Sequence, residues 1–204
     1  MNQDSARSGT VDWSGENPGM YLKAAETGPF ITLISFFRVV TSPHGRGHAA
    51  FMLLDPHGDG KKTDQPNVCL TDNEPLAEYL AAGFVSKFGA FREARGLASL
   101  RYQPGWDFTS GGDGRTYHSE WFRSAIGQVQ LQWSNLSEPF LVDLKPADAA
   151  TGKHRMVSLF FDARDVSARV NGKPVDGKAV PRKFAGRSDS STAFLAFSES
   201  WIRA

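Results

Sequence analysis

The chain has 204 residues, a net charge of +1 and 40% apolar residues. That length fits a single domain able to bury a core without disulfides or metals. The near-zero charge excludes the basic excess usual in nucleic-acid binders, and the apolar fraction excludes a disordered chain.

No stretch approaches the ~20 apolar residues of a spanning helix. The first nineteen residues lack the apolar centre of a secretory signal. Cys69 stands alone, so no intrachain disulfide can form, and its setting between Val68 and Leu70 reads as a short buried strand. A soluble, cytoplasmic protein with no membrane or nucleic-acid partner is the expectation.

In chain order, residues 1–19 are polar and Gly-rich, with Trp13 as one bulky anchor, and read as a flexible N-terminal arm. A turn at Pro18-Gly19-Met20 opens a single β-rich domain over residues 20–204. Ile31 to Val40 is rich in β-branched and aromatic residues and predicts a strand buried on both faces. The loop Ser42 to Gly47 and the apolar run Ala49 to Leu54 complete a hairpin. Asp55 to Asn67 is a surface loop; its likeness to a calcium loop fails at His57 and Pro66, where acidic or amide ligands belong.

One main helix is predicted over about 73–91. Asp72 or Asn73 can cap it, Pro75 is tolerated in its first turn, and Leu76, Leu80, Phe84, Phe88 and Phe91 recur at helical spacing. Gly83 and Gly89 can break it in two.

From residue 97 the pattern returns to β. Tyr117 to Arg123 alternates, as does Gln128 to Trp133, and Phe140 to Leu144 continues the pattern. Met156 to Asp162 and Val166 to Val170 follow, and Asn171-Gly172 is a two-residue hairpin signal. Val175 to Val180 reads as the returning strand, kept to an edge by Pro174 and Pro181, and Ala193 to Ile202 closes the chain. About ten short strands with one packed helix predict a mainly β fold, an antiparallel barrel or a two-sheet sandwich.

Three functional readings follow. In the first, the aromatic supply, with Trp106, Trp121 and Trp133 foremost, lines a partly apolar cavity for a small molecule. The regular row of Gln128, Gln130 and Gln132 would supply polar contacts. In the second, His118 and Glu120, two apart on one strand face, act as general acid and base of an isomerase, lyase or hydrolase. The competing account points His118 at water while Trp121 packs inward. In the third, the six cations Arg169, Lys173, Lys178, Arg182, Lys183 and Arg187, opposed by Asp176 alone, attract an anionic ligand or partner, or build a homodimer. Lysines and arginines on an edge hairpin also serve simply to prevent aggregation. No metal site, nucleotide fingerprint or nucleophile elbow is present, and no cofactor is expected.

Overall fold

A computed structural model describes residues 9–60 and 67–203. Its strands are β1 (Thr10–Glu16), β2 (Gly19–Lys23), β3 (Phe30–Thr41), β4 (Gly47–Leu53), β5 (Val68–Thr71), β6 (Arg101–Gly112), β7 (Tyr117–Ser124), β8 (Gly127–Leu136), β9 (Phe140–Leu144), β10 (His154–Val170), β11 (Lys173–Pro174), β12 (Pro181–Phe184), β13 (Arg187–Ser191) and β14 (Ala193–Arg203). Helices α1 (Glu74–Gly83) and α2 (Gly89–Arg92) lie between β5 and β6.

Nine strands close a barrel in the order β14-β2-β3-β4-β5-β6-β7-β8-β10, with β10 returning to β14. The fold is thus the barrel rather than the sandwich. Closure removes the unpaired edges that an open sheet of this size would expose. All of these pairings are antiparallel except β5 with β6, where the helical segment makes a crossover. The sequence pattern had pointed to antiparallel pairing throughout; a single parallel step is hidden because β5 is only four residues long.

The expected N-terminal arm is structured from Thr10 onward. β1 pairs with β14 and β3, and Trp13 is fully buried. β1 and β2 act as one broken strand between the same two neighbours, interrupted at Asn17-Pro18. The break stays hydrogen-bonded: Asn17 N donates to Ala196 O, and Phe36 N donates to Pro18 O.

The two apolar runs expected at Met156 to Asp162 and Val166 to Val170 fuse into the 17-residue β10. One edge of β10 pairs first with β9 and then with β8, while its first half pairs with β14 on the other edge. The Asn171-Gly172 turn forms as expected, both residues having positive φ (52° and 75°), and joins Val170 to Lys173. Its return strand ends at Pro174. Residues 175–180 instead run to β2, with Val175 and Ala179 packed against the interior cluster and Lys178 bridged to Lys23. Pro174 removes a donor there, and the β12–β13 hairpin forms further on.

Alternation sorts the core into two layers. Contacts between strands that are not neighbours identify the barrel interior. Trp133 Nε1 on β8 donates to Gly19 O on β2 at 2.9 Å, and Phe36 on β3 stacks on Phe122 of β7 at 5.6 Å. Met20, Ile34, Met52, Leu70, Val129, Leu131 and Leu195 fill the same interior and are fully buried. The opposite face of β1–β5 and β14 carries Trp13, Tyr21, Phe37, Phe51 and Trp201. The helical segment packs there through Leu76, Leu80, Phe84, Phe88 and Phe91. β3 is accordingly buried on both faces, as its composition requires.

Asn73 caps α1, its side chain accepting from Leu76 N at 3.1 Å. The helix stops at Gly83, continues through a 3-10 turn at Val85–Lys87, and resumes as the short α2 from Gly89. The single helix expected over 73–91 is therefore broken at the two glycines.

Candidate functional site

Two places gather functional side chains. The first is one mouth of the barrel. β7 alternates so that His118, Glu120 and Phe122 point inward, while Trp121 is 38% exposed on the outside. Glu120 is completely buried and lies opposite Arg38 of β3. Arg38 Nη2 donates to Glu120 Oε2 at 2.6 Å, and His118 Nε2 donates to Glu120 Oε1 at 2.9 Å. Glu16 adds a longer pair to Arg38 Nε at 3.4 Å. A charged carboxylate in an apolar interior requires such partners, because the loss of its hydration is large. Beyond this cluster His48 stacks on Phe108 at 4.5 Å and bonds Asp72 at 2.7 Å. Burial raises the Asp72 carboxyl, but the hydrogen bonds from His48 outweigh it and hold the group low.

The mouth opens into a shallow void of about 440 Å³ edged by Glu16, Arg38, His118 and the Gly111–Gly114 turn. That turn is organised by Asp113, whose carboxylate accepts from Arg115 N, Thr116 N and Tyr117 N. The Thr116 hydroxyl bonds and these backbone donors lower its pKa.

The second place lies on the outer wall. The β12–β13 hairpin and the Val85–Arg92 segment rise on either side of β2, β10 and β14. They enclose a cavity of about 460 Å³. Tyr21, Phe30, Phe88, Phe160, Phe184, Phe194 and Trp201 form its aromatic walls. Beneath it runs a polar chain. Ser35 Oγ donates to Asn17 Oδ1 at 2.7 Å, Ser35 also bonds Tyr21, and Asn17 bonds Glu199. Trp201 Nε1 donates to Glu199 Oε1 at 2.5 Å. Burial pushes the Glu199 carboxyl up to about 7 against those hydrogen bonds, and burial also raises the Tyr21 phenol.

Arg182 of β12 completes the cavity. Its guanidinium lies 4.5 Å from both the Phe184 and Phe194 ring centres, and its Nε and Nη2 are shielded from solvent with no hydrogen-bond partner among the described residues. Burial lowers its pKa, partly offset by Tyr21 and Asp162. The group still keeps its charge, because an arginine starts above 12.

No family model, curated protein or solved structure is significantly similar to this chain. The site therefore rests on its own geometry.

The residues singled out from sequence do not converge. Trp133 belongs to the packed interior. Trp106 is 45% exposed on β6, and Trp121 faces outward. Gln128, Gln130 and Gln132 share the outer face of β8, because Val129, Leu131 and Trp133 take the inner one. Of the six cations, Arg182 lines the lateral cavity, Lys183 points to the exposed side and Arg187 lies over the Phe140 ring at 4.3 Å. His118 and Glu120 do meet, facing inward rather than toward water.

Sequence reasoning passed over Arg38, Glu199 and most of the cavity's aromatic residues. Two signals were available. Arg38 interrupts a doubly buried strand, which obliges it to find an anion. Glu199 sits one alternation from the buried Trp201 in the closing strand, a carboxylate beside a core aromatic.

The described residues contain no cluster of histidine, cysteine and carboxylate side chains able to hold a metal ion. They contain no helix long and apolar enough to cross a membrane.

Proposed function

We propose that this barrel binds a small, partly apolar molecule, and that the site is the lateral cavity on its outer wall rather than the barrel interior. One observation carries the reading: a void of about 460 Å³ walled by seven aromatic side chains, with a few polar groups at fixed positions. Ligand cavities generally fall between ~300 and ~1,000 Å³ and combine apolar walls with a small number of oriented polar groups. Among the described residues, the side chains of the interior interlock in one buried cluster. Titration with the uncharged fluorophore N-phenyl-1-naphthylamine tests the reading. Saturable binding at one site per chain is expected, and Ala90→Trp, which places an indole into the cavity from α2, should abolish it. A probe that binds wild type and Ala90→Trp alike would remove the cavity from consideration.

The mouth supports a second reading, acid–base catalysis, because of one specific feature. His118 Nε2 hydrogen-bonds Glu120 Oε1, which fixes the ring and leaves Nδ1 as the nitrogen not engaged by that carboxylate. Glu120 is wholly enclosed, so in this reading it orients the imidazole and His118 moves the proton, much as a base is held by a carboxylate in other sites. The test is His118→Ala on any small-molecule turnover found for the protein. Loss of turnover is expected, and an unchanged rate ends this reading.

A further inference from the structure

The lateral cavity is lined by a cation, Arg182, whose buried donors find no hydrogen-bond partner among the described residues. Arg182 presents Nε and Nη2, one edge of the guanidinium fork, unbonded and out of contact with water. Leaving donors of this kind buried without acceptors carries a desolvation penalty larger than an ordinary hydrogen bond returns. Yet the side chain is held firmly, between the Phe184 and Phe194 rings and across from Tyr21. These ring contacts fix its position and leave its hydrogen-bonding edge unused.

Two carboxyl groups nearby, Glu199 and Asp162, are engaged elsewhere. Glu199 is engaged by Trp201 and Asn17, and burial raises its carboxyl to about 7. Asp162 Oδ1 accepts from the Ser190 hydroxyl and from Ser191 N. The cavity rim adds Lys23, Lys87 and Arg92 against Asp148, so its field favours an anion.

We infer that the ligand is an amphipathic monocarboxylic acid, its carboxylate paired with the Arg182 guanidinium and its flat apolar body seated among Phe88, Phe160, Phe194 and Trp201. A guanidinium edge and a carboxylate match in spacing and plane, which a lysine could not reproduce. The inference rests on the lateral cavity being the binding site, and it adds the chemical class of what enters.

The test uses the matched pair 2-naphthoate and naphthalene-2-carboxamide, followed by calorimetry on the full chain. The two share the aromatic body, and only the first carries the charge. Wild type should bind the carboxylate roughly 10- to 100-fold more tightly, the range expected for a charge-assisted pair. In Arg182→Met that ratio should collapse toward one. Arg182→Lys keeps the charge without the fork and should fall between the two. Melting curves identify a variant that has lost its fold, and the wild-type ratio remains decisive if one has. Equal wild-type affinities would overturn the carboxylate assignment while leaving the cavity as a binding site. A preference that survives intact in Arg182→Met would also overturn it. Failure of both compounds to bind wild type would overturn both the assignment and the cavity reading.

Discussion

Glu199 makes stability depend on pH in a direction opposite to that of a surface carboxylate. Its carboxyl is buried beneath the lateral cavity, and desolvation moves it from its ordinary 4.5 to about 7. The folded protein therefore holds a proton there that the unfolded chain releases at lower pH. Below about 4.5 both states are protonated and the group imposes no penalty. Between 4.5 and 7 the penalty grows, and above 7 it is complete. Each tenfold change in proton affinity is worth ~1.4 kcal/mol, so the full effect is about 3 kcal/mol. Glu199→Gln retains an oxygen to accept from Trp201 Nε1 and cannot ionise. Relative to wild type, the variant should gain about 3 kcal/mol between pH 4.5 and pH 8. For a chain of this size that corresponds to roughly 6–12 °C in Tm. Thermal melts followed by circular dichroism at both pH values give the comparison. A difference between wild type and variant that is the same at pH 4.5 and pH 8 would refute the reasoning, whatever its sign.

Two further outcomes follow from the polar contacts that close the barrel. Arg38→Met strands the fully buried Glu120 and should destabilise the protein by about 3–5 kcal/mol in urea unfolding, and adding Glu120→Gln should recover part of that loss. No recovery in the double variant would mean that the pair is not the source of the effect. Asp12 accepts from His154 Nε2 and Arg203 Nη2, both at 2.6 Å, and so ties β1 to β10 and β14. Burial raises its carboxyl, and the bonds from His154 and Arg203 overcome this to lower it. Its stabilisation is thus present above the ordinary carboxylate range and fades as pH falls through the lowered value. Asp12→Asn should lose about 2 kcal/mol at pH 7 and little at pH 2, and an equal loss at both would contradict the assignment.

Much of the architecture could be read from the sequence because the strands alternate cleanly. In β8 every second residue is a glutamine and the residues between are apolar, so the strand and its buried face follow directly. The helical stripe from Leu76 to Phe91 and the Asn171-Gly172 turn were similarly plain. What could not be read was the direction of burial. A barrel with a helix packed outside it has two apolar layers, so an apolar residue on β2, β3 or β14 may belong to either. Tyr21 and Met20 are neighbours of similar burial, yet one faces the cavity and the other the interior. Trp133 was expected in a ligand site because it is large and aromatic; closure of the barrel placed it in the interior instead. The cavity itself joins β2, the 85–92 segment, β10, β12 and β14, a set of long-range neighbours that no local pattern encodes. Arg182 was visible only as one cation among six, and its isolation arises from the hairpin folding it onto Phe194.

The most direct test of the account is a crystal structure of the protein grown with naphthalene-2-carboxamide or 2-naphthoate. The naphthalene ring should lie between Phe88 and Phe194 on the outer wall, with the carboxylate of 2-naphthoate against the Arg182 guanidinium. A ring bound at the barrel mouth beside His118, with the lateral cavity empty, would contradict it.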